Sequence, residues 1–239
     1  MINMVKKVKK GDFIQIDFIA KVKGSNQIFD VTNADLAKKE GAYQENRTYK
    51  PLVVCLGAGH LLKGVDKQLT GKEIGKEYEF NVSPEQGFGH RNPKHIKLTS
   101  LTQFKKKGIN PIPGQRLAID GAVASIRSVT GGRVIIDFNH PLAGRTLHYK
   151  IKINKKVTDT KEKISGIISL LTKLEDSDYT ITISDKEIKI NLKKEMPENM
   201  RELVKKQVED LVSEAKSKKV VFTGLDKKNK PKSESKKKK

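Results

Sequence analysis

The feature that most constrains this chain is a strand whose neighbour arrives late. Tyr78, Phe80 and Val82 alternate with Glu79 and Asn81, the period-two pattern of a half-buried strand, and the run ends at Pro84. The same pattern returns over residues 145 to 153, where Leu147, Tyr149, Ile151 and Ile153 alternate with His148, Lys150 and Lys152. Between them the character changes. Pro93, Pro111 and Pro113 punctuate the chain from Arg91 onward, and three short β-like runs follow at 115 to 119, 122 to 127 and 133 to 137. Thr130-Gly131-Gly132 supplies a hairpin turn between the last two. The organisation that satisfies all of this is a small β domain, residues 91–137, inserted between two strands of one sheet.

The rest of that sheet lies upstream. Asp12 to Lys23 reads as a strand half buried on one face, with Phe13 and Gln15 set against Ile14, Ile16 and Phe18. Ile28 to Asp30 completes a hairpin, residues 33 to 40 fit a helical turn, and Pro51 to Leu56 is a short β-rich run closed by Gly57-Ala58-Gly59. Leu61, Leu62, Val65 and Leu69 have the spacing of a short helix, with Gly71 as its stop. Residues 1–90 with 138–155 thus make the parent domain.

Residues 156–224 begin a separate unit. Ile164, Ile167, Ile168, Leu171 and Leu174 share one helical face, and Asp159 with Glu162 three residues on has the form of a capping box. A hairpin follows, Tyr179, Ile181 and Ile183 on one arm and Ile188, Ile190 and Leu192 on the other. Pro197 sits where the first turn of a helix tolerates it, and Met200, Leu203, Val204, Val208, Leu211, Val212 and Ala215 trace a second stripe before a last strand at Val220 to Phe222. The order α-β-β-α-β makes a compact α+β module, and self-association as a homodimer would supplement so small a core. The tail, 225–239, has eight lysines against two acids and reads as disordered.

Composition narrows the function. One cysteine, Cys55, permits no internal disulfide and points to a reducing, cytoplasmic setting, where it serves as a buried structural thiol. No apolar run approaches the roughly 18 residues of a membrane span. The net charge of +21 favours anionic partners such as RNA, ribosomes or acidic client chains. Yet the 42 lysines against 7 arginines are scattered rather than interleaved with aromatics, as a stacking platform would require. Gly57-Ala58-Gly59 lacks the third glycine of a dinucleotide loop, and Gly71-Lys72 is followed by Glu73 where a phosphate loop needs Ser or Thr. The five histidines have no paired cysteines and no tight ligand spacing, so neither metal nor cofactor is expected.

Four ordered stretches carry a resemblance. They are Phe29-Asp30, the run Leu56 to Leu69, Ser83-Pro84-Glu85-Gln86-Gly87-Phe88-Gly89, and Asn139-His140-Pro141-Leu142-Ala143-Gly144. Together they resemble an FKBP-type peptidyl-prolyl isomerase of the SlyD-like, long archaeal kind, in which the last run follows an insert in the flap. The resemblance implies an FKBP antiparallel sheet with a short helix. Its pocket would be walled by Phe18 and Phe29, with Asp30 as the polar group near the substrate amide. Leu52 lies on the strand before the helix, and Leu61 and Leu62 form an aliphatic pair. Val65 stands where many short members have a Trp at the floor, Phe88 replaces the usual flap Tyr, and Tyr149 takes the place of a pocket Phe. The resemblance further implies that the insert binds unfolded, proline-containing polypeptide through apolar surface, with Leu98, Leu101, Phe104, Ile109, Ile112, Leu117 and Val123 as candidates. The nickel-binding tail of bacterial members is not carried over, because this tail is lysine-rich. The competing expectation is a non-catalytic holdase, or a ribosome- or RNA-associated protein, that uses the same fold, the insert and the basic tail.

Overall fold

The computed structural model describes residues 6–224; the lysine-rich tail falls outside them. Along the chain, β1 (Phe13–Val22), β2 (Ile28–Val31), α1 (Ala34–Lys39), β3 (Leu52–Cys55), α2 (Lys63–Leu69) and β4 (Glu77–Val82) lead into the insert. The insert contains β5 (Ile96–Ser100), α3 (Leu101–Lys106), β6 (Arg116–Ile119), β7 (Ala122–Thr130) and β8 (Arg133–Asp137). Then β9 (Leu147–Lys156) returns, followed by α4 (Thr160–Leu171), β10 (Tyr179–Ile183), β11 (Glu187–Leu192), α5 (Glu198–Leu211) and β12 (Lys219–Gly224).

The late-arriving strand pairs as the alternation requires. β9 lies between β1 and β4, with Tyr149 opposite Ala20 on one side and Phe80 on the other, in an antiparallel sheet ordered β2-β1-β9-β4 with β3 also on β1. Ile14, Ile16, Phe18 and Ala20 of β1 point into one core together with Val65, Leu69, Leu147, Ile151 and Ile153. α2 closes this core at very short range. A Cβ added to Gly64 would stand 2.6 Å from Val82 Cγ1, so the glycine is what lets the helix approach β4.

β1 is not half buried on one face, as its alternation suggests, but buried on both. Phe13 is 3% exposed because it belongs, with Cys55, to the core of the C-terminal unit. α4 packs across β3, and residues 156–224 cover the sheet face that an isolated parent domain would leave wet. Gln15 reaches Glu162 Oε1 at 3.4 Å and His60 reaches Gln207 at 3.0 Å across the same contact. Cys55 is buried, and burial pushes its thiol up to about 11 with Asp66 and Asp12 adding in the same direction, so it is held protonated.

The C-terminal order is α-β-β-α-β. β10 and β11 form the hairpin and β12 runs parallel to β11. Asp159 caps α4 by accepting from the Glu162 N–H at 2.8 Å. The second stripe needs correction at two points: Leu203 is 41% exposed, and α5 stops at Leu211, so that Val212 and Ala215 are buried from the turn beyond it. In the insert the sheet order is β5-β8-β7-β6, and the sequence reading had no counterpart for β5 or α3. The Lys, Thr and Ser residues of 97–100 hide the strand signal, because β5 is an edge and needs little apolar surface. No described helix is long and apolar enough to cross a membrane.

Candidate functional site

Tyr149, on β9, is the hub of an aromatic cluster of the first sheet. Its ring centroid lies 6.0 Å from Phe18, 6.0 Å from Phe29 and 6.2 Å from Phe80, tilted, edge-on and stacked respectively. Phe88, from the turn after β4, meets Phe29 edge-on at 6.3 Å. Edge-to-face pairs are the geometry that ring quadrupoles favour, each worth about 0.5–1.5 kcal/mol beyond the buried area. Leu52, Leu61, Leu62 and Val65 pack against the same core. Leu61 and Leu62 do so from the segment just before α2, not from within it, since the helix begins at Lys63. Eight of the nine sequence-derived site residues therefore fall in one apolar cluster, and the ninth, Asp30, follows Phe29 on β2.

Phe80 is a site neighbour that sequence reasoning missed. The signal was present in the alternation of β4, but only the register that sets Phe80 opposite Tyr149 shows that it stacks there. His140 is a second such residue. Its ring stacks on Phe88 at 4.1 Å and 10°, and its Nδ1 accepts from the Leu142 N–H. Burial lowers the pKa of His140, and the charge of Arg116 adds to the effect.

The remaining polar groups are few. Asp30 Oδ1 accepts from Arg47 Nη2 at 2.6 Å and from the Val31 N–H at 2.9 Å, while Arg47 also donates to the Val31 carbonyl and stands 5.3 Å above the Tyr49 ring. The carboxylate beside Phe29 is thus clamped at the rim, half exposed. Burial raises the Tyr149 hydroxyl well above the ordinary phenol range, and the charge of Asp30 pushes the same way. A neutral phenol in an apolar wall can donate a hydrogen bond without introducing charge.

The run from Asn139 to Gly144 connects this cluster to the insert. Asn139 Oδ1 accepts from the Asn92 N–H at 2.8 Å and its Nδ2 donates to the Asn92 carbonyl at 3.1 Å, clasping the two chains that enter and leave the insert. Asp137 sits against this clasp. Burial would raise its pKa, but the Asn139 backbone and side-chain donors and the charges of Arg91 and Arg127 overcome that and hold it low. Ala143 is buried, and Gly144, at φ +74°, donates to the Gly89 carbonyl at 2.7 Å, which shuts the base of the flap.

The chemistry open to an apolar cluster with so few polar groups is narrow. Rotation about an X-Pro bond must overcome about 18–20 kcal/mol of amide resonance. It needs neither nucleophile nor proton transfer. The planar amide carries more charge separation than the twisted state, so a dry aromatic wall disfavours the former relative to the latter. Among the described residues no group of three or more His, Cys, Asp or Glu side chains is placed to hold a metal ion.

Comparison with known proteins agrees with this chemistry. Residues 5–107 match the FKBP-type peptidyl-prolyl cis-trans isomerase family, and residues 97–142 match the insert-in-flap (IF) domain of FKBP26. The short-type peptidyl-prolyl cis-trans isomerase of Methanocaldococcus jannaschii is 33% identical over 150 residues, which cover 63% of this chain and 94% of that protein. An FKBP-type 16 kDa isomerase of Escherichia coli K12 is 32% identical over 128 residues, 52% of this chain and 80% of that protein. The SlyD isomerase of Haemophilus influenzae is 30% identical over 121 residues, 48% of this chain and 63% of that protein. On its sequence and on the fold that brings its motifs together, the chain belongs to the FKBP-type peptidyl-prolyl cis-trans isomerases.

Proposed function

We propose that this isomerase works as a folding catalyst in which the Tyr149 cluster holds the prolyl ring and the insert captures the chain that bears it. The observation that carries the reading is the convergence of Phe18, Phe29 and Phe80 on Tyr149, with Phe88 closing over Phe29. Phe18, Phe29 and Tyr149 form the walls, Val65 the floor, and Leu52, Leu61 and Leu62 the aliphatic side. Phe88 serves as the flap ring and Asp30 as the polar group facing the substrate amide. Lowering the barrier by about 5 kcal/mol would speed the rotation by between three and four powers of ten.

Residues 1–90 with 138–155 act as the catalytic domain, and 91–137 as the capture domain. Of the insert candidates, Phe104 is buried and Leu101, Ile109 and Leu117 pack on it, whereas Leu98, Ile112 and Val123 are exposed by 61%, 57% and 59%. The first group supports the insert's own core and the second is the client-facing set. Residues 156–224 brace the back of the catalytic sheet, and the free edges of β10 and β12 offer a homodimer contact, to be tested by light scattering on the full chain. The buried free thiol suits a cytoplasmic setting.

A proline-limited refolding assay tests the whole reading. Excising 91–137 should spare the isomerisation of short proline peptides while sharply reducing acceleration of protein refolding. Asp30→Ala should lower both. An excised protein that accelerates refolding as well as the full chain would remove the capture role, and an Asp30→Ala protein of undiminished activity would remove Asp30 from the site.

A further inference from the structure

The insert, which bears the apolar capture surface, is more positive than either the 90 residues before it or the C-terminal unit 156–224. Between residues 91 and 137 there are nine Lys and Arg against two acids, a net +7 out of the chain's +21. Both acids are already met. Asp137 is buried against Arg91, and Asp120 lies 4.0 Å from Lys107. Arg127 adds its charge to the surroundings of Asp137. Lys94, Lys97, Lys105, Lys106, Arg116 and Arg133 are all exposed, and none has a carboxylate within ion-pair range among the described residues.

Part of this charge borders a groove of about 210 Å³ lying between β5, α3 and β6, which Lys97 and Lys107 line together with Asp120, the partner of Lys107. Ile109, Ile119, Ile136 and Phe138 line it, with Lys97 and Lys107 at its margin and Lys97 Nζ 5.2 Å above the Phe138 ring. β5 is the outer strand here, paired only with β8. The His95 carbonyl accepts from the Phe138 N–H and the Leu101 N–H donates to the Gly132 carbonyl, both toward the β8 side. Antiparallel alternation then directs the N–H and C=O of Leu98 outward, next to its exposed side chain. An extended chain added at that edge would meet backbone donors and acceptors, apolar surface and unpartnered lysines at once. Nucleic acid fits less well. The exposed large apolar residues of the insert are Leu98, Ile112 and Val123, while Phe104 is buried and Phe138 lies under Lys97, so the insert offers a base no open Phe ring to stack on.

We propose that the insert selects acidic polypeptide, namely extended segments in which Leu, Ile, Val or Phe residues are flanked within one or two positions by Asp or Glu. This deepens the capture reading above and rests on it. The apolar side chains occupy the groove and cover Leu98, and the flanking carboxylates reach Lys97, Lys105 and Lys106. Arg116 extends the same positive field toward His140 and the Phe88 ring, so that a captured acidic chain is drawn to the isomerase pocket as well.

The experiment uses the full-length protein and three fluorescein-labelled, proline-free 12-residue peptides. They share one Leu/Phe/Ile core, and the intervening positions are Glu, Ser or Lys; a labelled oligouridylate RNA is the fourth probe. Anisotropy titrations are run at 50 mM and 500 mM KCl. The Glu peptide should bind about tenfold tighter than the Ser peptide at low salt and within about threefold of it at high salt, because rim charges act through a screened field. The Lys peptide should bind weakest. A Lys97→Gln/Lys105→Gln/Lys106→Gln protein, checked for an unchanged unfolding midpoint, should lose at least about threefold of the Glu advantage. Equal binding of Glu and Ser peptides would overturn the selectivity and leave capture standing. Binding of no peptide would overturn capture itself, and RNA binding tighter than the Glu peptide would reassign the basic surface to nucleic acid.

Discussion

At Gly166 the helix α4 of the C-terminal unit packs against β3 of the first sheet, and replacing this glycine by alanine tests that docking. The residue lies inside α4, buried against β3. In an unattached helix, Gly→Ala adds about 1 kcal/mol of stability by reducing the entropy of the unfolded chain and improving helix propensity. Here the new Cβ would stand 2.6 Å from Val53 Cγ1, 2.7 Å from Val53 Cβ and 3.2 Å from the Val53 carbonyl. The first is some 0.8 Å inside the 3.4 Å at which ordinary contact begins. Rotating Val53 can move Cγ1, but Cβ and the carbonyl belong to a strand fixed by its register with β1. α4 must therefore lift away from β3, loosening the contacts of Phe13 and Cys55 with Ile164, Ile167 and Ile168. Overpacking of this kind costs about 1–3 kcal/mol, and the rigid partners place this case at the upper end. Subtracting the propensity gain leaves a net loss of about 1–2 kcal/mol. Urea unfolding of the full chain followed by circular dichroism measures it, with thiol-reagent reactivity of Cys55 as a local probe of the same contact. Stabilisation by Gly166→Ala, with Cys55 still protected, would show that the helix does not sit on Val53 and would refute the docking described here.

Cys55 itself should react with a disulfide reagent at least a hundredfold more slowly in the native protein than in urea, since it is buried and its thiol is held near 11; comparable rates would contradict its burial. Phe80→Ala should cost about 2 kcal/mol of stability, and it should lower peptide isomerisation more than Phe104→Ala, which damages only the insert core; equal losses of activity would detach Phe80 from the site. His60 gives a pH test. Burial lowers its pKa, with Gln207 and Asp66 opposing, and its Nδ1 accepts from the Cys55 N–H, which requires an unprotonated nitrogen. The unfolded chain takes up the proton first as pH falls, so the stability due to neutral His60 is complete above about 6.5 and is lost as pH drops from there through the lowered native value. In His60→Gln the fall in urea midpoint over that window should be shallower than in the parent; an identical slope would exclude His60 as its source.

The catalytic sheet was legible in the sequence because its strands combine alternation with punctuation. Tyr78 to Val82 and 145 to 153 show the pattern, and Gly and Pro bound them. Burial on the second face of β1 was not legible. Phe13 looks like the odd residue of a one-faced strand until α4 is placed against it, and nothing local to β1 encodes a helix 150 residues downstream. β5 escaped for the opposite reason. An edge strand needs only one buried side and carries Lys97, Thr99 and Ser100, so its sequence resembles a loop. The exposure of Leu203 shows a related limit, since periodicity marks a stripe but not how wide a stripe the partner will cover.

The run Asn139 to Gly144 is one of the four stretches that carry the family resemblance, and the structure gives it a reason that lies in geometry rather than in catalysis. Six consecutive residues carry several separate constraints. Asn139 clasps Asn92 where the insert begins, His140 stacks on the Phe88 ring, Leu142 packs on the core of the first sheet, Ala143 is buried, and Gly144 takes positive φ to reach Gly89. Each constraint excludes most residue types, and their adjacency leaves little freedom for substitution. The residues assigned above to the proposed pocket are held differently. Phe18, Phe29, Phe88 and Tyr149 come from four segments and need only fill one apolar volume, which Phe, Tyr, Leu or Val can do in many combinations. Asn139→Ala should therefore damage the coupling between insert and pocket more than it damages the pocket. Short-peptide isomerisation should stay within about threefold of the parent, while acceleration of protein refolding falls by about tenfold, since a chain captured on an unclasped insert is no longer delivered to a fixed point. Equal losses in the two assays would mean that the clasp serves only to stabilise the catalytic domain.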